Sequence, residues 1–348
     1  MKAYVVNKWL KDVSDLELKQ VPDPKCPEDG LVVKILATGL EFYEILQIKG
    51  QYQYKPAFPF VPGSQFAGIV VEVGPKQSNF KLGEKVFGSK GGIDVWAEKI
   101  ALTGAITSRL HRVPSNLTMG ECLTVQSAFP TSYVALTTRG EVKKGEVVLV
   151  HAAAGGIGLA AVQLAKYLGA FVIATCGSDD KCKVALREGA DHAINYTKEK
   201  DWPALVNEIT KKIPGRRWVG ADVVIDPVGL VIPSTKCIAW NGRIVVVGFT
   251  SGSIENVPAN RLLLKNASVV GIHLGAYSIH EPEVPARAWT EIFDILATNK
   301  FKPAVYTEQK FVGLESIPKA LADLGARKTW GKVIVEYEPN AETYSARL

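Results

Sequence analysis

The chain is poor in sulfur, with five cysteines and two methionines among 348 residues. Cys26, Cys122, Cys176, Cys182 and Cys237 are dispersed, and none stands in a Cys-x-x-Cys pair. That excludes a paired redox motif, and an odd, scattered set predicts reduced thiols in an intracellular compartment. Long apolar runs are missing too. None approaches the roughly 20 residues of a membrane helix, and the opening MKAYVVNKWLKDV lacks the apolar core of a secretory signal. The expected location is therefore cytoplasmic, with no membrane partner. Charge of one sign is not concentrated anywhere. The net charge is +6 without a long basic run, which argues against a nucleic-acid partner while suiting an anionic small molecule. There is no internal repeat and no low-complexity segment.

What is present is ordinary globular composition, 47% hydrophobic and 22% charged, at a length suited to two domains. Residues 1–125 read as mostly β. Short apolar segments (Lys2–Val6, Leu31–Ala37, Ala67–Val73, Lys85–Gly88) alternate with Pro/Gly punctuation, and Glu41–Lys49 reads as a short helix. From about 126 the pattern changes to alternating strand and helix. Strands are expected at Val147–His151, Phe171–Thr175, Ala193–Asn195, Asp222–Asp226, Arg243–Gly248 and Ser268–Gly271, with helices such as Lys181–Glu188 and Pro203–Thr210 between them. Six strands with crossover helices predict a doubly wound parallel α/β sheet. The helix Ala286–Thr298 and the strand Gly331–Glu336 are too little for a third domain. The expected division is 126–280 for the parallel sheet, with 1–125 and 281–348 forming the β-rich domain.

The segment of greatest chemical content follows the apolar run Val147–Val150. It reads His151-Ala-Ala-Ala-Gly-Gly-Ile-Gly-Leu-Ala-Ala161 and continues with helical periodicity. Gly156-x-Gly158-x-x-Ala161 fits the dinucleotide-binding fingerprint. On this reading Gly156 permits the tight turn, Gly158 lets a pyrophosphate approach the backbone, and Ala161 lets the helix lie close on the sheet. Ala154, Gly155, Gly156, Ile157 and Gly158 then face the phosphates, together with the helix N-terminus. The following strand ends Ala174-Thr-Cys-Gly177-Ser178 without a carboxylate at its tip. An acid there would favour NAD by holding the ribose hydroxyl. Ser178 and Lys181 instead suit a 2′-phosphate, so NADPH is expected over NADH, the alternative being that the two simply cap and solvate the next helix. Asp179 and Asp180 complicate this if either points inward.

Further ordered motifs are Tyr52-Gln-Tyr-Lys-Pro, Pro59-Phe-Val-Pro-Gly63, Gly189-Ala-Asp-His-Ala-Ile-Asn-Tyr196, Asp222-Val-Val-Ile-Asp-Pro-Val-Gly229, Gly242-Arg-Ile-Val-Val-Val-Gly-Phe249, Asn260-Arg-Leu-Leu-Leu-Lys-Asn266 and Gly331-Lys332. With the glycine turn they resemble the zinc-free NADPH:quinone oxidoreductase, zeta-crystallin-like branch of the medium-chain dehydrogenase/reductase superfamily, over about residues 1–337. The resemblance implies a GroES-like β-rich catalytic domain beside a Rossmann domain. It also implies a homodimer through the Rossmann sheet edge at Ser268–Leu274. Its 2′-phosphate contacts fall on Ser178, Lys181, Tyr196 and Arg327, and its nicotinamide contacts on Gly248, Phe249 and Thr131. Tyr52 matches a tyrosine lining the substrate slot. Thr131 also suits a helix cap, and Tyr52 also suits plain aromatic packing with Tyr54, Phe58 and Phe60.

The chain departs from the zinc enzymes of the superfamily at Gly63-Ser64-Gln65, where their Gly-His-Glu stands, and it lacks their four clustered cysteines. No metal is expected. It departs from the quinone reductases at Glu41, commonly Asn, and at Leu46, where a second slot tyrosine stands in zeta-crystallin-like members. Glu41 is expected either near the nicotinamide with a raised pKa, as a proton source, or else facing solvent or paired with a lysine. The implied activity is zinc- and flavin-independent hydride transfer from NADPH to a quinone. The alternatives are reduction of α,β-unsaturated carbonyls or enoyl thioesters, and a structural or regulatory NADPH-binding role. The closing Ala346-Arg347-Leu348 resembles a peroxisomal address, which makes the peroxisomal matrix the alternative location.

Overall fold

The computed structural model describes residues 1–338. The tripeptide Ala346-Arg347-Leu348 lies outside them. The chain forms two compact units, Met1–Ser127 with the segment from Val305 onward, and Ala128–Ala304.

In the first unit a mixed sheet runs in the order Phe311–Val312, Val333–Glu336, Leu31–Leu40, Gln65–Val73, Lys85–Ser89, His111–Arg112, with Lys99–Leu102 also pairing on Leu31–Leu40. Leu31–Leu40 is buried along nearly its whole length, which explains its almost continuous apolar sequence. Its register decides the site. Val333 pairs with Leu40 and Ile334 with Gly39 on one side, and Gln65 pairs with Gly39 on the other. Lys332, Glu41 and Gln65 therefore meet where three neighbouring strands end. The helix Phe42–Ile48 starts at once after Glu41.

The second unit is a six-stranded parallel sheet in the order His192–Asn195, Phe171–Cys176, Val147–Val150, Ala221–Asp226, Ile238–Val246, Ser268–Gly271. This is the doubly wound order expected for a dinucleotide-binding fold. Its buried core includes Val147, Leu149, Ile173, Ile194, Val206, Val224 and Ile244. Ser268–Gly271 is the edge strand.

Two expectations need correction. The helix Glu283–Ala297 belongs to the second unit, so the returning segment starts at 305 and not at 281. Its buried stripe Val284, Ala288, Ile292, Ile295, Leu296 is evident in the sequence, but the partner is not. Val284 and Ala288 pack on Val134. The strand expected at Arg243–Gly248 runs instead from Ile238 to Val246, through an irregularity with Asn241 at φ 61°. Asparagine tolerates that left-handed conformation better than most residues. Among the described residues no helix is long and apolar enough to cross a membrane.

Candidate active site

The glycine turn joins Val147–Val150 to the helix Gly156–Tyr167, whose N-cap is Gly155. A glycine N-cap has no side chain to satisfy the first-turn N–H groups, so they remain available for an anion. Within the turn it is Ala152 that takes the left-handed conformation, at φ 46°. A β-carbon on Gly158 would lie 2.3 Å from Ala152 O and 2.7 Å from Ala153 Cα. Gly158 is thus required by the chain's own turn, before any ligand arrives.

At the tip of Phe171–Cys176, Ser178 caps the helix Asp179–Arg187 by accepting a hydrogen bond from Lys181 N at 3.2 Å. The complication from the two acids is resolved. Asp179 accepts from Asn195 Nδ2 at 2.7 Å and is ion-paired with Lys198, while Asp180 pairs with Lys183 at 2.8 Å. Tyr196 joins this corner, because a β-carbon on Gly177 would stand 2.8 Å from its hydroxyl. Ser178, Lys181, Tyr196 and Gly177 are thus gathered in one place.

The loops at the C-terminal ends of the next two strands are organised by Asp226, which is fully buried. Its Oδ1 accepts from Val228 N at 2.8 Å and Gly229 N at 2.9 Å, and its Oδ2 from Leu230 N at 2.6 Å. Thr250 N and Ser251 N donate to Pro227 O and Val228 O, which ties in the neighbouring Gly248 and exposed Phe249. Asp226→Asn should destabilise the second unit by about 1–3 kcal/mol, because an amide nitrogen cannot accept from those N–H groups. The urea unfolding midpoint checks this. An unchanged midpoint would show that the three bonds contribute little. His151 is buried between Thr175 Oγ1 (2.8 Å) and Ser234 Oγ (2.9 Å). Burial pushes it down to about 4 despite the nearby Asp226. It is a core histidine.

Thr131 stands inside the helix Met119–Val134, just after Pro130, and is half-buried. It is not a helix cap. Arg327 is exposed in the first unit at φ 58°, beyond the helix Ile317–Gly325.

The first unit carries a cluster that sequence reasoning only partly found. Lys332 is 3% exposed, and its Nζ donates to Glu41 Oε1 at 2.6 Å and to Ser127 Oγ at 3.3 Å. Gln65 Nε2 donates to the same Glu41 oxygen at 2.6 Å. Gly39 makes room for this, since a β-carbon there would stand 2.5 Å from Lys332 Cε. The expectation of a raised Glu41 pKa is not met. Burial pushes the carboxyl up, but the Lys332 charge and the hydrogen bonds from Lys332, Ser127 and Gln65 prevail and hold it below its ordinary value. The lysine pairing weighed against it is what occurs.

The carboxyl that is pushed up is Glu44, to about 7. It is fully buried, and burial outweighs the hydrogen bonds from Ser64 Oγ (2.7 Å) and Glu41 N (2.8 Å). Beside it, the Tyr43 ring stacks on Tyr52 with centroids 4.9 Å apart and 26° between planes. Leu46 removed one expected aromatic, and Tyr43, one turn earlier on the same helix face, supplies another. Glu44 and Gln47 fall among Ile45 and Ile48 on the buried side of that helix. Polar residues spaced i, i+3 on an apolar face were the available sequence signal.

Ser64 and Gln65 thus serve Glu44 and Glu41, and neither is an ordinary zinc ligand. Among the described residues no three His, Cys, Asp or Glu side chains are grouped so as to hold a metal ion. The donor set does not fit zinc.

Residues 27–121 match the Alcohol dehydrogenase GroES-like domain family, and residues 156–293 match the family described as Zinc-binding dehydrogenase. Quinone oxidoreductase-like protein 2 of Mus musculus is 36% identical over 329 residues, covering 92% of this chain and 90% of the relative. Quinone oxidoreductase of Homo sapiens is 34% identical over 258 residues, 73% of this chain and 74% of the relative. Among solved structures, an Escherichia coli quinone oxidoreductase complexed with NADPH superposes with a TM-score of 0.83 at 28% identity, covering 97% of this chain and all of that one.

Proposed function

Given that the chain belongs to the quinone oxidoreductase branch of the medium-chain dehydrogenase/reductase superfamily and is an oxidoreductase, we propose that it reduces quinones with NADPH, without zinc or flavin. The observation that carries the cofactor reading is the corner at Ser178. The strand tip bears no carboxylate, both following acids are engaged with Asn195, Lys198 and Lys183, and Ser178, Lys181 and Tyr196 stand together at the corner with the hydroxyl and ammonium chemistry that suits a phosphate dianion. The turn Ala154–Gly158 offers its N–H groups to the pyrophosphate, while Gly248, Phe249 and Thr131 complete the cofactor residues of the second unit in this reading. When bound, the nicotinamide supplies a hydride.

A quinone suits a donor set that cannot hold zinc. It is already electron-poor, and the anion it forms is delocalised, so it does not need a Lewis acid. Tyr52, with Tyr43 stacked behind it, forms a flat aromatic wall for a planar acceptor. Glu41 is ionised and occupied by Lys332 and Gln65, so its role in this reading is to hold those two side chains and not to donate a proton. Pairing of two copies along the edge strand Ser268–Gly271 belongs to the same reading, since it would cover an exposed strand edge. A monomer in sedimentation velocity would remove that part.

The test is oxidation of NADPH and of NADH, each with a benzoquinone, phenanthrenequinone and a small enone, in the presence of a chelator. Fast NADPH turnover with the quinones supports the proposal, and preference for the enone overturns it in favour of a double-bond reductase. Lys181→Ala should lower kcat/KM for NADPH by about tenfold or more while leaving NADH within about twofold, as expected for a hydrogen bond to a charged group. Equal losses for both cofactors would remove Lys181 from the phosphate site.

A further inference from the structure

Two tryptophans of the second unit stand at its surface. Trp218 is 41% exposed and Trp240 47%, and Val219 beside the first is 46% exposed. Indole side chains are ordinarily well buried, so two exposed rings side by side mark a contact surface. Their centroids are 6.0 Å apart. Both come from the N-terminal ends of parallel strands. Trp218 lies in the turn that enters Ala221–Asp226, and Trp240 precedes Asn241 at the irregularity of Ile238–Val246. The glycine turn follows the C-terminal end of Val147–Val150, so the tryptophans and the cofactor turn occupy opposite ends of the sheet. Arg216 fixes the backbone from which Trp218 projects. Its guanidinium pairs with Asp222 at 2.8 Å and donates to Gly220 O at 2.8 Å and to Trp218 O at 3.2 Å.

Cations border the rings. Arg217 lies over Trp218, 4.8 Å from the ring centroid. Gly220 N donates to Thr210 Oγ1 at 2.9 Å, which ties the turn to the end of the helix Trp202–Lys211, where Lys211 and Lys212 are exposed. From Ile209 to Ala221 the chain carries no acid, and Asp222 is occupied by Arg216. From Pro227 to Ile254 there is none either. Glu208, one turn before Lys211, offsets part of this charge. The sequence holds no long basic run, yet the fold sets three cations beside two indoles.

We propose that this end of the second unit docks on an anionic lipid surface. Lys211, Lys212 and Arg217 face the headgroups, and the two indoles enter the headgroup layer. Tryptophan suits that layer because it joins an apolar body to a polar N–H, and each cation near an anionic leaflet adds about fivefold to the affinity. A stacking nucleic-acid base fits less well, since Arg217 already lies over the Trp218 ring and Trp240 leans on it. Docking of this kind needs no spanning helix. It is independent of which acceptor the enzyme reduces, so failure of either reading leaves the other standing.

The test is flotation of the full chain with vesicles of phosphatidylcholine alone and of phosphatidylcholine with about 30% phosphatidylserine. Binding to the anionic vesicles should exceed binding to the neutral ones by at least about tenfold, and should weaken as salt rises from about 0.05 M to about 0.5 M. Lys211→Glu/Lys212→Glu should lower it by at least about twentyfold. Trp218→Ala/Trp240→Ala should lower it by about tenfold or more, through lost apolar burial. If the tryptophan variant melts early, the lysine variant decides alone. Equal binding to both vesicles, no binding, or binding untouched by the lysine variant overturns the proposal. So does sedimentation velocity without lipid in which the tryptophan variant loses a dimer that the wild type forms, because a second copy then covers the patch.

Discussion

Lys332→Met is expected to destabilise the first unit by about 3 kcal/mol at neutral pH, the lower part of the range for breaking a buried ion pair. The ammonium is 3% exposed and the Glu41 side chain 25% exposed, so water can only partly replace what the lysine supplies. The methionine fills similar volume, which leaves the unpaired carboxylate as the main cost. Two further measurements separate that cost from lost packing. The double variant Glu41→Gln/Lys332→Met removes the orphaned charge and should recover most of the loss. The pH dependence supplies the sign. Glu41 has a folded-state pKa below its ordinary value, so the stability it contributes is present above the unfolded value and is lost as pH falls through the folded one. The penalty of Lys332→Met should therefore be largest at neutral pH and shrink as the pH falls and the unpaired Glu41, pushed up by burial, takes up a proton. Urea denaturation at several pH values checks both. A penalty independent of pH and not rescued by Glu41→Gln would assign the effect to packing.

Gly158→Ala is the second large effect. The added carbon meets the backbone of the preceding turn, Ala152 O at 2.3 Å and Ala153 Cα at 2.7 Å, and backbone has no rotamer by which to move away. The unliganded chain should lose about 1–3 kcal/mol, as for overpacking. NADPH affinity should fall by at least about tenfold, because a turn shifted by a few tenths of an ångström no longer aims its N–H groups. Gly155→Ala is the control, since its β-carbon would lie 3.2 Å from Ala152 O and would need only a slight adjustment. Thermal melts without cofactor and fluorescence titration with NADPH decide the matter. Loss of affinity with no loss of unliganded stability would return Gly158 to the simpler role of admitting a phosphate.

Most elements were legible, because strand alternation, helical stripes and glycine turns are local. The turn at Gly155–Gly158, the cap at Ser178 and the missing tip carboxylate can each be read within a few residues. The helix Glu283–Ala297 was legible as an element but not in its allegiance. A buried stripe says that something covers it, and only the packing of Val284 and Ala288 on Val134 says what.

The reading of Glu41 fell short for a related reason. A carboxyl flanked by apolar residues invites the inference of a raised pKa, and burial does push that way. The opposing charge sits 291 positions along the chain. Strand register between Leu31–Leu40 and Val333–Glu336 brings it opposite. Three residues later Glu44 meets no such cation directly, and the behaviour expected of one carboxyl belongs to its neighbour. The sequence by itself determined the doubly wound sheet, the dinucleotide turn and the chemical type of each candidate side chain, since these follow from sterics and periodicity over short spans. Only the tertiary structure decided which acid is pushed down and which is pushed up, because the free energy of a charge depends on its solvent exposure and on partners that strand register brings together from distant parts of the chain.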